Sequence, residues 1–98
     1  MIRPVVFRPH AEVEVLAAQK WYEERRLGLG GEFRAVIDDA IDRVSRQPES
    51  FPRVHGEIRR ALVQRFPFGL YFETIANQVV VLGVVHGHRD PKTWKSRR

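Results

Sequence analysis

The run His86-Gly87-His88-Arg89 is the one stretch of this 98-residue chain that groups proton-transferring side chains with a cation. Two imidazoles at i and i+2 lie on one side of an extended strand, so they could shuttle protons near neutral pH or ligate a metal. A metal site needs a third ligand, and none is adjacent in sequence. The plainer reading makes His86 a strand-end residue bonded to a backbone group, and no metal or other cofactor is expected. The second chemistry is cationic. Fourteen of the seventeen Lys and Arg residues are Arg, whose planar fork matches phosphate and carboxylate. Residues 1–48 are charge-balanced, so the whole net charge of +5 falls in residues 49–98. Arg59, Arg60, Arg65, Arg89, Lys92 and Lys95 are the candidate anion contacts, with Trp94 between the last two lysines. An aromatic among cations can stack on a base, dock a partner or anchor a tail to its own domain. The bland alternative for the arginines is a solvated edge.

Composition removes several classes. Hydrophobic residues at 43%, charged residues at 30%, two Trp, two Tyr and six Phe describe a globular chain. The absence of cysteine excludes a disulfide framework, a thiol nucleophile and a Cys-based zinc site. Four acids scattered over the basic half argue against a carboxylate-held two-metal nuclease. The longest apolar run, 79–85, is far below the ~20 residues that span a bilayer. The first eight residues hold only three consecutive apolar side chains, so a cytoplasmic protein without a membrane partner is expected. The length fits one domain, 1–98, with a basic tail over about 89–98.

The elements that must position these residues follow from periodicity. Ile2 to Phe7 reads as an opening strand. Pro9 starts a helix in which Val13, Leu16, Ala17 and Trp21 form an apolar stripe expected to face the core, and Gly28 ends it in a left-handed conformation. Phe33, Val36, Ile37, Ala40, Ile41 and Val44 give a second helix that Pro48 stops, and the 27–31 link makes the pair an antiparallel hairpin. Strands follow near 58–63, from Phe68 to Ile75, and from Gln78 to His86, with Ala76-Asn77 as a two-residue turn. The last strand is apolar on both faces and belongs inside the sheet. Asp90-Pro91 suits the start of a short terminal helix. The predicted class is α+β, β-α-α-β-β-β, with the hairpin on one face of a mainly antiparallel sheet. Phe68, Leu70 and Phe72 should meet the helices, leaving Gly69, Tyr71 and Glu73 on an open, Arg-lined face. Arg59 and Arg60 point oppositely, and the pattern does not say which is outward.

As a whole the pattern resembles the RelE/ParE superfamily of toxins from bacterial type II toxin–antitoxin modules. Trp21-Tyr22-Glu23 before Gly28-Leu29-Gly30, then Phe33, resembles its helical hairpin. Pro48-Glu49-Ser50-Phe51-Pro52, Arg59-Arg60-Ala61-Leu62, Arg65-Phe66-Pro67-Phe68, Leu70-Tyr71-Phe72 and His86-Gly87-His88-Arg89-Asp90-Pro91 with Trp94 continue it. The resemblance implies a toxin held inactive, in a hetero-oligomer, by a cognate antitoxin. It also implies one of two activities. RelE-like members cut ribosome-bound mRNA without metal, which here would draw on Arg60, Arg65, Arg89, His86 and His88. ParE-like members, the plasmid-stabilisation branch, poison DNA gyrase and are not hydrolases.

Two features lean to the ParE-like branch. The position where RelE-like nucleases carry an arginine early in a strand is Gly69 here, and the His-x-x-Arg-Asp-Pro ending is similar to that branch. Gyrase contact is then expected at Arg59, Arg60, Arg65, Arg89, Lys92, Trp94 and Lys95. Antitoxin contact is expected along the hairpin at Val13, Trp21, Phe33, Ile37 and Ile41. The alternatives are the mRNA endonuclease and a non-toxic basic interaction module.

Overall fold

Residues 2–87 are described by the structure, a computed structural model. Strand β1 (Val5–Phe7) leads into helices α1 (Pro9–Arg25) and α2 (Leu29–Arg46). A 3₁₀ turn at Pro48–Ser50 precedes strands β2 (Arg53–His55), β3 (Ile58–Leu62), β4 (Phe68–Ile75) and β5 (Gln78–His86). The α+β order holds, with β2 as an additional short strand. The sheet runs β1-β5-β4-β3-β2, parallel between β1 and β5 and antiparallel elsewhere. β5 lies inside it, as its two apolar faces require. β4 and β5 join through Ala76 and Asn77, both left-handed at φ 50 and 63. The terminal helix expected near Pro91 lies outside the described residues. No helix among the described residues is long and apolar enough to cross a membrane.

Helix α2 follows its periodicity. Phe33, Ile37, Ala40 and Val44 are buried in one cluster with Ala61, Leu70, Phe72, Val81 and Val84. Its outer face pairs Arg34 with Asp38, Arg43 with Asp39 and Arg46 with Asp42, each one turn apart. Helix α1 departs from expectation. The stripe that enters the core is Ala11, Val15, Ala18 and Tyr22, not Val13, Leu16, Ala17 and Trp21. Both stripes are apolar at helical spacing. The two alanines let α1 lie close to β5, and at that separation the larger stripe does not fit beneath it.

The hairpin turn is tighter than its glycines suggest, because α2 already begins at Leu29. No side chain at the helix start supplies a cap. Instead Glu23 of α1 accepts hydrogen bonds from the backbone N–H groups of Gly28, at 2.9 Å, and Gly30, at 3.0 Å. Gly28 is left-handed, as expected, at φ 88. At Gly30 a Cβ would sit 2.6 Å from the Gln19 carbonyl oxygen, so only glycine lets the helices touch there.

The alternation of β4 also holds: Leu70 and Phe72 meet the helices, while Tyr71 belongs to a second cluster on the opposite face. Tyr71 pairs with Gly83 and Phe72 with Val81, so Leu82 is an extra residue in β5. The bulge turns Val80, Leu82 and Val85 to that second face, where they pack with Ile58 and Tyr71. This corrects the expected open, Arg-lined surface. Tyr71 is only 2% exposed and Glu73 is buried too, with Tyr71 packed against Ile58, Val80, Leu82 and Val85.

Candidate functional site

The candidate cations of the strands separate. Arg59 lies on the side of the 3₁₀ turn, where its Nη1 donates to the carbonyls of Phe51, at 2.5 Å, and Glu49, at 3.3 Å. Arg60 lies on the opposite face, directly across from Tyr71. That settles the ambiguity between them: Arg60 is the one turned away from the helices. Gly69 sits beside this pair. A Cβ there would meet the Tyr71 ring at 3.2 Å, its hydroxyl at 3.3 Å and Arg60 Cδ at 3.4 Å. A side chain at 69 would therefore need the Tyr71 ring and the Arg60 stem to give by a few tenths of an ångström.

Arg65, left-handed at φ 70, projects from the β3–β4 loop and donates to Glu32 Oε1 at 2.7 Å. Arg26 holds the other oxygen of Glu32 at 3.3 Å. The Arg65 hydrogen bond, then the charge of Arg26, keep the Glu32 carboxyl below its ordinary range. His86 lies on the helix side, its ring 5.2 Å from Phe68 and perpendicular to it. Arg60, Arg65 and His86 thus occupy one face, a loop and the other face, and do not converge. His88, Arg89, Lys92, Trp94 and Lys95 lie outside the described residues.

The expected antitoxin contacts divide as well. Phe33 is sealed among the rings of Tyr22, Phe66 and Phe68 and belongs to the core. Ile37, also buried, and half-buried Ile41 line a groove of about 240 Å³ with Phe7, Glu12, Leu16 and Arg34. Val13, Leu16 and Trp21 are 62%, 54% and 50% exposed, so α1 turns an apolar strip outward. Leu27 at the hairpin turn is 90% exposed.

Sequence reasoning missed a further feature at the C-terminal end of α1. Ala18, Trp21, Tyr22, Phe68 and His86 line a cavity of about 180 Å³. Trp21 and Tyr22 meet edge to face at 5.1 Å, and the Arg25 guanidinium stacks 4.0 Å above the Trp21 ring. Burial raises the Tyr22 hydroxyl above its ordinary value. The clue was present: a second apolar stripe on α1 leaves Trp21 facing outward.

No family model and no curated protein matches the sequence. Solved structures do match in fold. A chain of the structure described as the chromosomal ParDE TA system from P. aeruginosa superposes with a TM-score of 0.66 at 14% identity, over 89% of this chain and 98% of that one. A chain of the toxin-antitoxin complex RelBE2 from Mycobacterium tuberculosis gives 0.58 at 17% identity, over 88% and 99%. The architecture is therefore of the RelE/ParE type. At these identities the likeness concerns the fold.

Proposed function

We propose that this chain is the toxin of a type II toxin–antitoxin pair, of the ParE kind, acting on DNA gyrase rather than cutting RNA. The toxin reading draws support from the fold shared with chains of two toxin–antitoxin structures and from the outward apolar strip of α1. The observation that carries the choice of target is that position 69, beside Tyr71 and Arg60, is a glycine and supplies no cation. Attack of a 2′-OH on its own phosphate needs cations on the developing charge, and losing one such donor typically costs ~10²–10³ in rate. Here the cation at 69 is absent, Arg59 is spent on backbone carbonyls and Arg65 is paired with Glu32, which leaves Arg60 beside Gly69. A gyrase poison needs no such convergence. It needs positive charge to meet DNA, and residues 49–98 carry a net +5 in sequence.

Induction in a sensitive host tests the reading. Growth arrest with an SOS response and intact messages is expected, and the purified protein should stabilise gyrase–DNA cleavage complexes. Translation arrest with cut messages would overturn the gyrase target in favour of the RelE-like activity. Unimpaired growth would overturn the toxin reading altogether.

A further inference from the structure

We propose that the cavity where α2 meets the 3₁₀ turn binds a guanine base, its ring against Phe51 and its acceptor edge on Arg43 and Arg46. No residue of α1 lines this cavity, and the site stands whether or not the chain is a toxin.

The stretch from Arg43 to Phe51 builds the site. Arg43, Arg46, Gln47, Ser50 and Phe51 line a cavity of about 370 Å³. An apolar cavity of about 150 Å³ takes up a benzene ring, so this one has room for a two-ring base. The backbone beneath it is tied at each step. The Gln47 N–H donates to the Arg43 carbonyl at 3.1 Å, the Ser50 N–H to that of Gln47 at 3.1 Å and the Phe51 N–H to that of Pro48 at 3.3 Å. The Ser50 hydroxyl closes on the Gln47 carbonyl at 2.8 Å. Arg59 grips the Phe51 carbonyl from β3, and the Phe51 ring stands edge-on to buried Phe72, centroids 5.8 Å apart. A wall held this firmly loses little freedom when a ligand stacks on it. Any base has the flat face such a ring accepts.

The donors choose among the bases. Arg43 binds Asp39 and Arg46 binds Asp42 through Nε alone, so the terminal nitrogens of both have no hydrogen bond among the described residues. Arg43 Nη2 is moreover buried, and a desolvated donor without an acceptor is costly. The Arg43 side chain as a whole is 38% exposed, and a guanine acceptor reached by a turn of the fork satisfies that nitrogen. The guanidinium carbon stands 5.9 Å from the Phe51 ring centre, so fork and stacking wall belong to one opening. Charge argues against a phosphate as the anchor. Each arginine already has its aspartate, and both lie in the last turn of α2, where the helix dipole is negative. The ligand that suits these donors is flat, neutral and rich in acceptors. A guanidinium fork meets guanine O6 and N7 together, whereas adenine places a donor at the matching position. The exposed Gln47 amide adds both a donor and an acceptor for the rest of the base edge.

Calorimetric titration of the full chain with guanosine, adenosine and guanosine 5′-monophosphate tests the site, alongside oligothymidine strands carrying one guanine or one adenine. Guanine should bind about tenfold more tightly than adenine, and the monophosphate no more tightly than guanosine. Arg43→Lys keeps the charge, loses the fork and should weaken guanine binding about tenfold. Phe51→Leu keeps an apolar contact with Phe72, loses the flat face and should weaken it about fivefold. Arg34→Lys, elsewhere on α2 and outside the cavity, should change nothing. Thermal melts check folding; should Phe51→Leu unfold, Arg43→Lys alone decides. A guanine preference among the nucleosides assigns a free nucleoside, and one seen only among the strands assigns a base presented by single-stranded DNA; both uphold the site. Equal binding of guanine and adenine, tightest binding by the monophosphate, or no binding in either arm overturns it. None of these results bears on growth arrest after induction, so the toxin reading is tested separately.

Discussion

Helices α1 and α2 are neighbours in one hairpin, of nearly equal length, and both are rich in apolar residues. They are built for different work. On α2 the large side chains Phe33, Ile37 and Val44 point inward, and the outward face is sealed by three ion pairs one turn apart. On α1 the inward face includes the small Ala11 and Ala18, while Val13, Leu16 and Trp21 look out. A helix that served only the fold would place its largest apolar groups against the sheet, where each contributes ~1.5–3 kcal/mol on burial. The contrast gives the large side chains of α2 to the core and leaves α1 with large apolar side chains that the core does not use.

Opposed substitutions on the two helices break this comparison most directly. Phe33→Ala removes a fully buried ring that touches Tyr22, Phe66 and Phe68, and should cost ~3–5 kcal/mol in urea or thermal unfolding. Trp21→Ala removes an equally large but half-exposed ring and should cost about 1 kcal/mol or less. Equal losses at the two sites would show that α1 serves the core as fully as α2 does.

How much of this could be read from the sequence depended on how many solutions each pattern allowed. β4 and β5 lie at their expected bounds, because Pro67 stops the chain before β4 and a two-residue turn separates it from the apolar run of β5. β2 was not legible: three residues, Arg53–His55, pair with β3 through an irregular register and leave no alternation to detect. The facing of α1 was ambiguous, since its residues hold two apolar stripes and the choice fell to backbone approach. Arg59 and Arg60 were ambiguous for the same reason. Their neighbours Ile58 and Ala61 are both fully buried, but on opposite faces of the sheet. Gly69 was readable as a missing cation, whereas the Tyr71 ring lying over it was a matter of packing.

The seam between the helices gives the next largest effect. Gly30→Ala would drive a Cβ against the Gln19 carbonyl, a backbone group that cannot swing aside, so the hairpin must open. The expected cost is ~1–3 kcal/mol, with weakening of the Glu23 cap on the Gly28 and Gly30 N–H groups. Gly31→Ala, one residue on, meets nothing within 4 Å and should stabilise by up to ~1 kcal/mol, because alanine is the better helix former. The pair separates close helix contact from generic glycine flexibility, since only contact predicts opposite signs.

The smallest effect concerns the start of α2, where Glu32 joins Arg65 of the β3–β4 loop and Arg26 of the hairpin turn. Hydrogen bonding from Arg65 lowers its carboxyl below the ordinary 4.5, so folding favours the charged form. The stability this adds is complete above the unfolded value of about 4.5 and is lost as pH falls through it toward the folded value. Glu32→Gln should therefore lower the urea midpoint slightly at pH 7, and the gap from wild type should narrow by about pH 3.5. The group is exposed, so salt should shrink the same gap at pH 7. A gap that ignores both pH and salt would assign Glu32 a packing role. Arg65 would then be unheld by Glu32 in solution, and the polar seal at the start of α2 would lose its loop-side member.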